Sequence, residues 1–250
     1  MPLKAPADFS ELNEIMKTPR QTDSDASHED RAKAIRDTLR DAIVDRRLSP
    51  GAKLSEAEVG SLYSVSRTIA RSALQMLAFE GLVTSERNKG AFVSNPSPEE
   101  ARQIFTSRRL IETGILQSAA ENMSAEDFAA FREQLKKEAL LKEDHGAKAR
   151  REEIKVSGDF HLMLAEVAGN AILKKFMEEL IGRSSLVIAL YGKTGTSSCG
   201  SDDHFGILEA LEAGNLDQAT KMMLHHINHI EADLDLRPQS SLSLKDALQL

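Results

Sequence analysis

Asn95-Pro96-Ser97-Pro98 places the strongest constraint on how this chain folds. Each proline lacks an amide donor and pushes the residue before it away from helical geometry, so no helix or inner strand runs through the segment. The chain divides there. Before it lie short helical periods, turns and two β-prone runs; after it the spacing of apolar residues is helical almost throughout. The 250 residues are 41% apolar, 28% charged and only 4% aromatic, with no Trp, which suits a helix-rich protein built on aliphatic side chains. No apolar run approaches the roughly 18–20 residues of a membrane span. Lys4, Asp8, Glu11, Glu14 and Lys17 interrupt any apolar core of a signal peptide. The lone Cys199 excludes an internal disulfide and a cysteine-cluster zinc site. A cytoplasmic protein with no membrane partner is expected.

Ahead of the prolines, helical spacing predicts a helix over about 29–45. Leu48-Ser-Pro-Gly51 then makes a turn, and Ser55 with Glu58 forms a capping-box pattern for a short second helix. A third helix is predicted from Ser66 to Phe79, ended by Gly81. The runs 82–85 and 91–94, separated by Glu86-Arg-Asn-Lys-Gly90, read as a hairpin. Helix, short helix, helix and two-stranded wing is the order of a winged helix-turn-helix, whose last helix enters the major groove of DNA. Local charge fits. Residues 30–94 hold 11 Lys/Arg against 8 Asp/Glu, a net +3 inside a chain of net −7. The third helix opens Ser66-Arg67-Thr68-Ile69-Ala70-Arg71, with two guanidiniums four residues apart on one face. Arginine can bond both O6 and N7 of guanine, while hydroxyls and helix N-terminal amides hold phosphates. An isolated string of this kind is more often an ordinary charged helix surface.

The combination is more specific. Leu48-x-Pro50-Gly51-x-x-Leu54-x-Glu56, Val65-Ser66-Arg67-Thr68-x-x-Arg71-x-Ala73-Leu74, Leu77-x-x-Glu80-Gly81-Leu82-Val83 and Asn88-x-Gly90-Ala91-x-Val93 resemble the N-terminal domain of GntR-family bacterial transcription regulators. The resemblance spans about residues 30–94. It implies operator contacts from Ser66, Arg67, Thr68 and Arg71, with Lys89 and Gly90 at the tip of a wing reaching the minor groove. Ser72 stands where glutamate is usual. Ala57 replaces an arginine that contacts DNA in some members, so that contact is not expected here.

Beyond Pro98, helices are predicted at about 98–122, 124–143, 150–168, 170–191, 203–213 and 215–235, followed by a polar tail. His161, His204 and His226 each lie on or beside an apolar stripe of a different predicted helix. One such histidine is ordinarily a core residue with a hydrogen-bond partner; three of them also suit a converging metal site. His225 and His229 have metal spacing too, but read as a solvated pair. Cys199, five residues before His204, reads as a plain thiol rather than a replacement ligand.

Arg108-x-x-x-Glu112, Phe160-His161-x-x-Leu164-x-x-x-Ala168-Gly169-Asn170 and His204-x-x-Ile207-x-x-Ala210-Leu211-x-x-Gly214, with His226, resemble the FCD effector domain of the FadR branch of that family. The resemblance covers about residues 99–235. It implies a divalent metal held by one Asp and three His, mapping to His161, His204 and His226. The Asp position falls on Ser157, which supplies no charge. Asp159 lies roughly 200° around the helix from His161 and cannot substitute. A three-histidine site suits Zn²⁺ or Ni²⁺ better than harder ions.

The expected architecture is mainly α: a winged helix-turn-helix over residues 28–94 and an all-α bundle over 99–235. A polar arm (1–27), a linker (95–98) and a loose tail (236–250) complete it. The expected function is a homodimeric, metabolite-responsive repressor on a pseudo-palindromic operator. A small carboxylate effector would sit near Arg108, Ser157, His161, His204 and His226. The alternative is a small metal-dependent enzyme using the three histidines, with Glu166 or Asp203 as the nearest acid–base candidates.

Overall fold

The computed structural model describes residues 27–87, 89–141, 146–193 and 201–237. Most of the expected arm (1–27) and tail (236–250), and the Gly192–Gly200 loop beyond Lys193 with its Cys199, lie outside the described residues. Among those described, the chain forms nine helices and one three-stranded sheet.

Helix α1 (His28–Val44) starts at a capping box, in which Ser27 accepts from the Asp30 amide and the Asp30 carboxylate accepts from the Ser27 amide. Such a cap stabilises by about 0.5–2 kcal/mol. Ala32, Ile35, Leu39 and Ile43 recur on one face, and that face is buried. Helix α2 (Glu56–Leu62) is capped by Ser55, and α3 (Arg67–Phe79) by Ser66, whose Oγ accepts from the Ile69 amide at 3.3 Å. Gly81 ends α3 with φ +71°, a conformation open to glycine at little cost. Strands β2 (Val83–Glu86) and β3 (Gly90–Val93) form the expected hairpin. A strand the sequence reading lacked, β1 (Lys53–Leu54), pairs with the other edge of β3, giving the antiparallel order β1-β3-β2.

The second half is helical. Helix α4 (Pro98–Asn122) has Pro98 in its first turn and Ser97 as its cap, so the proline that blocks a helix from behind begins one ahead. Then follow α5 (Ala125–Leu141), α6 (Ala147–Val167), α7 (Ala171–Tyr191), α8 (Ser201–Glu212) and α9 (Leu216–Ala232). Ser124 and Asp127 exchange capping bonds before α5, and Asn170 and Asn215 cap α7 and α9. Gly169 and Gly214 supply the positive-φ turns between helices. Helix α4 packs on α6, α7 and α9, while α5 lies against α6 and α8.

Two hydrophobic cores result, and α7 belongs to both. Met177, Ile181, Val187 and Ile188 enter the helical body's core. Leu186, 1% exposed, completes the head's core with α1, α3 and the sheet, and Leu190 packs beside it. The contact is close. A Cβ on Gly182 would overlap the carbonyl oxygen of Glu80, at the end of α3. Arg183 lies over Gly81 and reaches Glu100 at 3.3 Å, while Arg151 of α6 pairs with Asp45 after α1. The Tyr191 hydroxyl donates to the carbonyl of Pro96 at 2.7 Å, fastening the segment between the two halves.

Candidate functional site

The first residues of α3 form the exposed edge of the head. Arg67, Thr68 and Arg71 point outward, while Ile69, Ala70, Ala73 and Leu74 are buried, so core packing fixes which face the guanidiniums occupy. The Ser66 oxygen is engaged as the helix cap, leaving its hydroxyl proton for an acceptor outside the helix. Arg71 is held by Glu56 through two hydrogen bonds of 2.7 and 2.8 Å. At the wing, Lys89 meets Glu86 at 2.8 Å and Gly90 sits at φ +109°.

Inside the body, the three histidines come together. His161 is on α6, His204 on α8 and His226 on α9, each with at most 2% exposure. Their Nε2 atoms are mutually 3.3, 3.3 and 3.0 Å apart. Each opposite nitrogen faces a carboxylate: His161 Nδ1 lies 2.6 Å from Glu112, His204 Nδ1 2.8 Å from Glu138, and His226 Nδ1 3.3 Å from Asp203. A carboxylate at Nδ1 favours the tautomer with the proton there, so the Nε2 lone pair faces inward. Phe160 stacks on the His204 ring at 4.1 Å and closes one side.

Three convergent lone pairs are satisfied together only by a cation between them, since Arg108 reaches just one, that of His161. An ion bonded to imidazoles at about 2.0–2.1 Å spaces three nitrogens roughly 3.0–3.4 Å apart, and the observed separations lie in that interval. Electrostatics agree. Burial above all, with the Arg108 charge adding to it, holds His204 and His226 well below the ordinary histidine value, which favours the neutral rings that ligate a metal. The donor set fits a divalent metal.

Arg108, 2% exposed, borders the same point. Its Nη2 lies 3.1 Å from His161 Nε2, its Nε bonds Glu112 at 2.6 Å, and its Nη1 donates to Ser184 of α7 at 3.4 Å. Burial opposes ionisation of Glu112, but Arg108 and His161 outweigh it and keep the carboxyl well below its usual range. Ser157 is buried one turn before His161. Asp159 instead lines a cleft of about 550 Å³ between head and body. His225 and His229 are exposed, as expected. Glu166 pairs with Lys174 at the surface.

Sequence reasoning missed Glu138 and Ser184, and took Asp203 only as an acid–base candidate. Glu138 had a signal. Phe131, Gln134, Leu135 and Glu138 share one face of α5, and all four are buried. Two polar residues within an apolar stripe mark a buried polar site.

Residues 31–93 match the family described as bacterial regulatory proteins, gntR family, and residues 103–229 match the FCD domain family. The chain belongs to the GntR family of bacterial transcription regulators and carries an FCD domain. It is 28% identical over 213 residues to the HTH-type transcriptional regulator LutR of Bacillus subtilis, covering 76% of this chain and 94% of that one. It is 28% identical over 206 residues to the Uxu operon regulator of Haemophilus influenzae, covering 74% and 75%. Among solved structures, a GntR regulator from Rhodococcus sp. RHA1 superposes with TM-score 0.64 at 25% identity, covering 81% of this chain and 96% of that one. Escherichia coli McbR/YncC shares the fold with TM-score 0.68 at 19% identity, covering 81% and 95%. The expected mainly-α architecture with its winged head is thereby borne out for this GntR-family chain, and the enzyme reading finds no support. No helix among the described residues is long and apolar enough to cross a membrane.

Proposed function

We propose that this GntR-family regulator is a cytoplasmic homodimer whose heads, residues 28–94, read the two halves of a pseudo-palindromic operator. In this reading residues 95–98 link the heads to a sensing and dimerising body over 99–235. Arg67 and Arg71 read base edges, Ser66 and Thr68 hold phosphates, and Lys89 and Gly90 follow the minor groove. Two heads on one duplex add their binding free energies through linkage.

The body senses a small carboxylate. The convergence of three Nε2 atoms beside a buried guanidinium carries this reading. His161, His204 and His226 would hold Zn²⁺ or Ni²⁺, which supplies a Lewis-acidic centre for an oxygen ligand when bound. Arg108 brings a guanidinium to the same buried point, its charge paired with that of Glu112. Glu112, Glu138 and Asp203 formally balance Arg108 and a divalent ion. An outside carboxylate would therefore be held by ligation at the ion's open positions and by hydrogen bonds from Arg108, not by net charge. The effector acts as a regulator by preferring one arrangement of the heads; a coupling of about 1–3 kcal/mol changes operator affinity roughly 5–150-fold.

The test begins with a duplex selected from a randomised pool by the full chain. Arg67→Ala is expected to lower affinity for that duplex by about 1–3 kcal/mol at one base pair, while Lys89→Ala weakens selected and scrambled duplexes alike. Unchanged binding by the Arg67 variant would remove α3 as the reading helix.

A further inference from the structure

Glu56 is a carboxylate on the side of the head assigned to DNA, where phosphates make negative charge unfavourable. It is the first residue of α2, set by the Ser55 cap, and accepts from Nε and Nη2 of Arg71 at 2.7 and 2.8 Å. The pair is open to solvent, with side chains 59% and 36% exposed. Exposed pairs of this kind contribute little to fold stability, with a median of about 0–1 kcal/mol. What the pair does is give one of the two arginine side chains on α3 a defined orientation.

We propose that Glu56 is a specificity-determining positioning residue, which holds the Arg71 guanidinium in a fixed orientation for reading one base. The proposal rests on α3 being the reading helix. Arginine carries five N–H donors in a planar fork. Glu56 takes the edge formed by Nε and Nη2, leaving the Nη1–Nη2 edge facing away from the carboxylate. That remaining edge is the one able to make a bidentate contact with O6 and N7 of guanine. A fork oriented before binding loses less side-chain freedom on contact, and it meets a wrong base without being able to turn to a phosphate instead. The wing provides the contrast. Lys89 meets Glu86 through one ammonium, a point charge free to rotate about its contact, which suits sequence-independent attraction. Arg71, followed by Arg67, also holds Glu56 below the usual carboxylate range, so the pair is ionised wherever the protein binds DNA.

The experiment measures binding of the full-length chain to the selected duplex and to a scrambled duplex of equal length, for Glu56→Gln, Arg71→Ala and the double variant. Glu56→Gln is expected to bind scrambled DNA as well as or better than wild type, because a negative charge is gone. Its ratio of selected to scrambled affinity should fall about fivefold or more, and repeated selection should return a relaxed base at one position per half-site. In the Arg71→Ala background the same change should leave the ratio unaltered. An equal gain on both duplexes, with base preference intact, overturns the proposal and makes Glu56 only a repulsive charge. A lowered ratio that persists without Arg71 also overturns it. If Arg71→Ala itself leaves affinity and preference unchanged, the assignment of Arg71 as a reader fails first, and the proposal with it. Equal melting temperatures for wild type and Glu56→Gln verify that the head remains folded.

Discussion

Glu138 Oε2 stands 2.8 Å from Nδ1 of His204, on the ring edge turned away from the other two histidines. A glutamate on α5 thereby fixes the tautomer of a histidine on α8. Loss of such a partner typically lowers metal affinity about 10–100-fold. Glu138→Ala is expected to show a loss of that size for Zn²⁺ in a chelator competition, with the helical circular dichroism spectrum retained.

A cation bound only by the folded state stabilises it. At an ion concentration one hundred times the dissociation constant, the gain is about 2.7 kcal/mol. Melting followed with Zn²⁺ or Ni²⁺ against a chelator should separate by roughly 5–10 °C for the wild-type chain. The His161→Ala, His204→Ala double variant should show no separation. Equal curves for wild type in both conditions, together with elemental analysis finding no ion after soaking, would leave a metal-free polar pocket.

Ser157 carries no charge at the position one turn before His161. Three imidazole nitrogens without an oxygen donor among them discriminate against harder cations that favour oxygen. Ser157→Asp should therefore raise Mn²⁺ affinity relative to Zn²⁺, read by competitive titration of the two ions. A shift in the opposite direction would show that position 157 does not face the ion.

Gly182 lies in the interior of α7, where alanine would ordinarily gain about 1 kcal/mol of helix propensity. Here the added Cβ meets the carbonyl of Glu80, a backbone atom that cannot swing aside. Overpacking of this kind costs about 1–3 kcal/mol, which exceeds the propensity gain. Gly182→Ala is expected to lower the melting temperature by a few degrees; an increase would mean that head and body separate at little cost.

The features legible in the sequence are those written locally. Ser55, Ser66, Gly81 and the Pro96–Pro98 segment each act within a few residues of themselves, and each bounds an element near the place expected. The apolar stripes likewise placed His161, His204 and His226 toward a common interior. Helix α6 begins at Ala147 rather than near 150, because its first turn has no apolar period to announce it. Strand β1 has two residues, too few to alternate, and exists because β3 offers it an edge. Glu138 shows in sequence only as a polar residue on an apolar face. That it reaches His204, 66 positions away, follows from the packing of α5 on α8, which no local spacing encodes.

Leu186 and Leu190 sit on a helix of the FCD half but fill space beneath the winged head. The boundary between the two halves in sequence is therefore not the boundary between their interiors. A head excised after Ser94 would expose the apolar surface that α7 covers. Transplanting it onto a different sensor would succeed only where the recipient presents a helix with leucines at these two positions and a glycine one turn before the first.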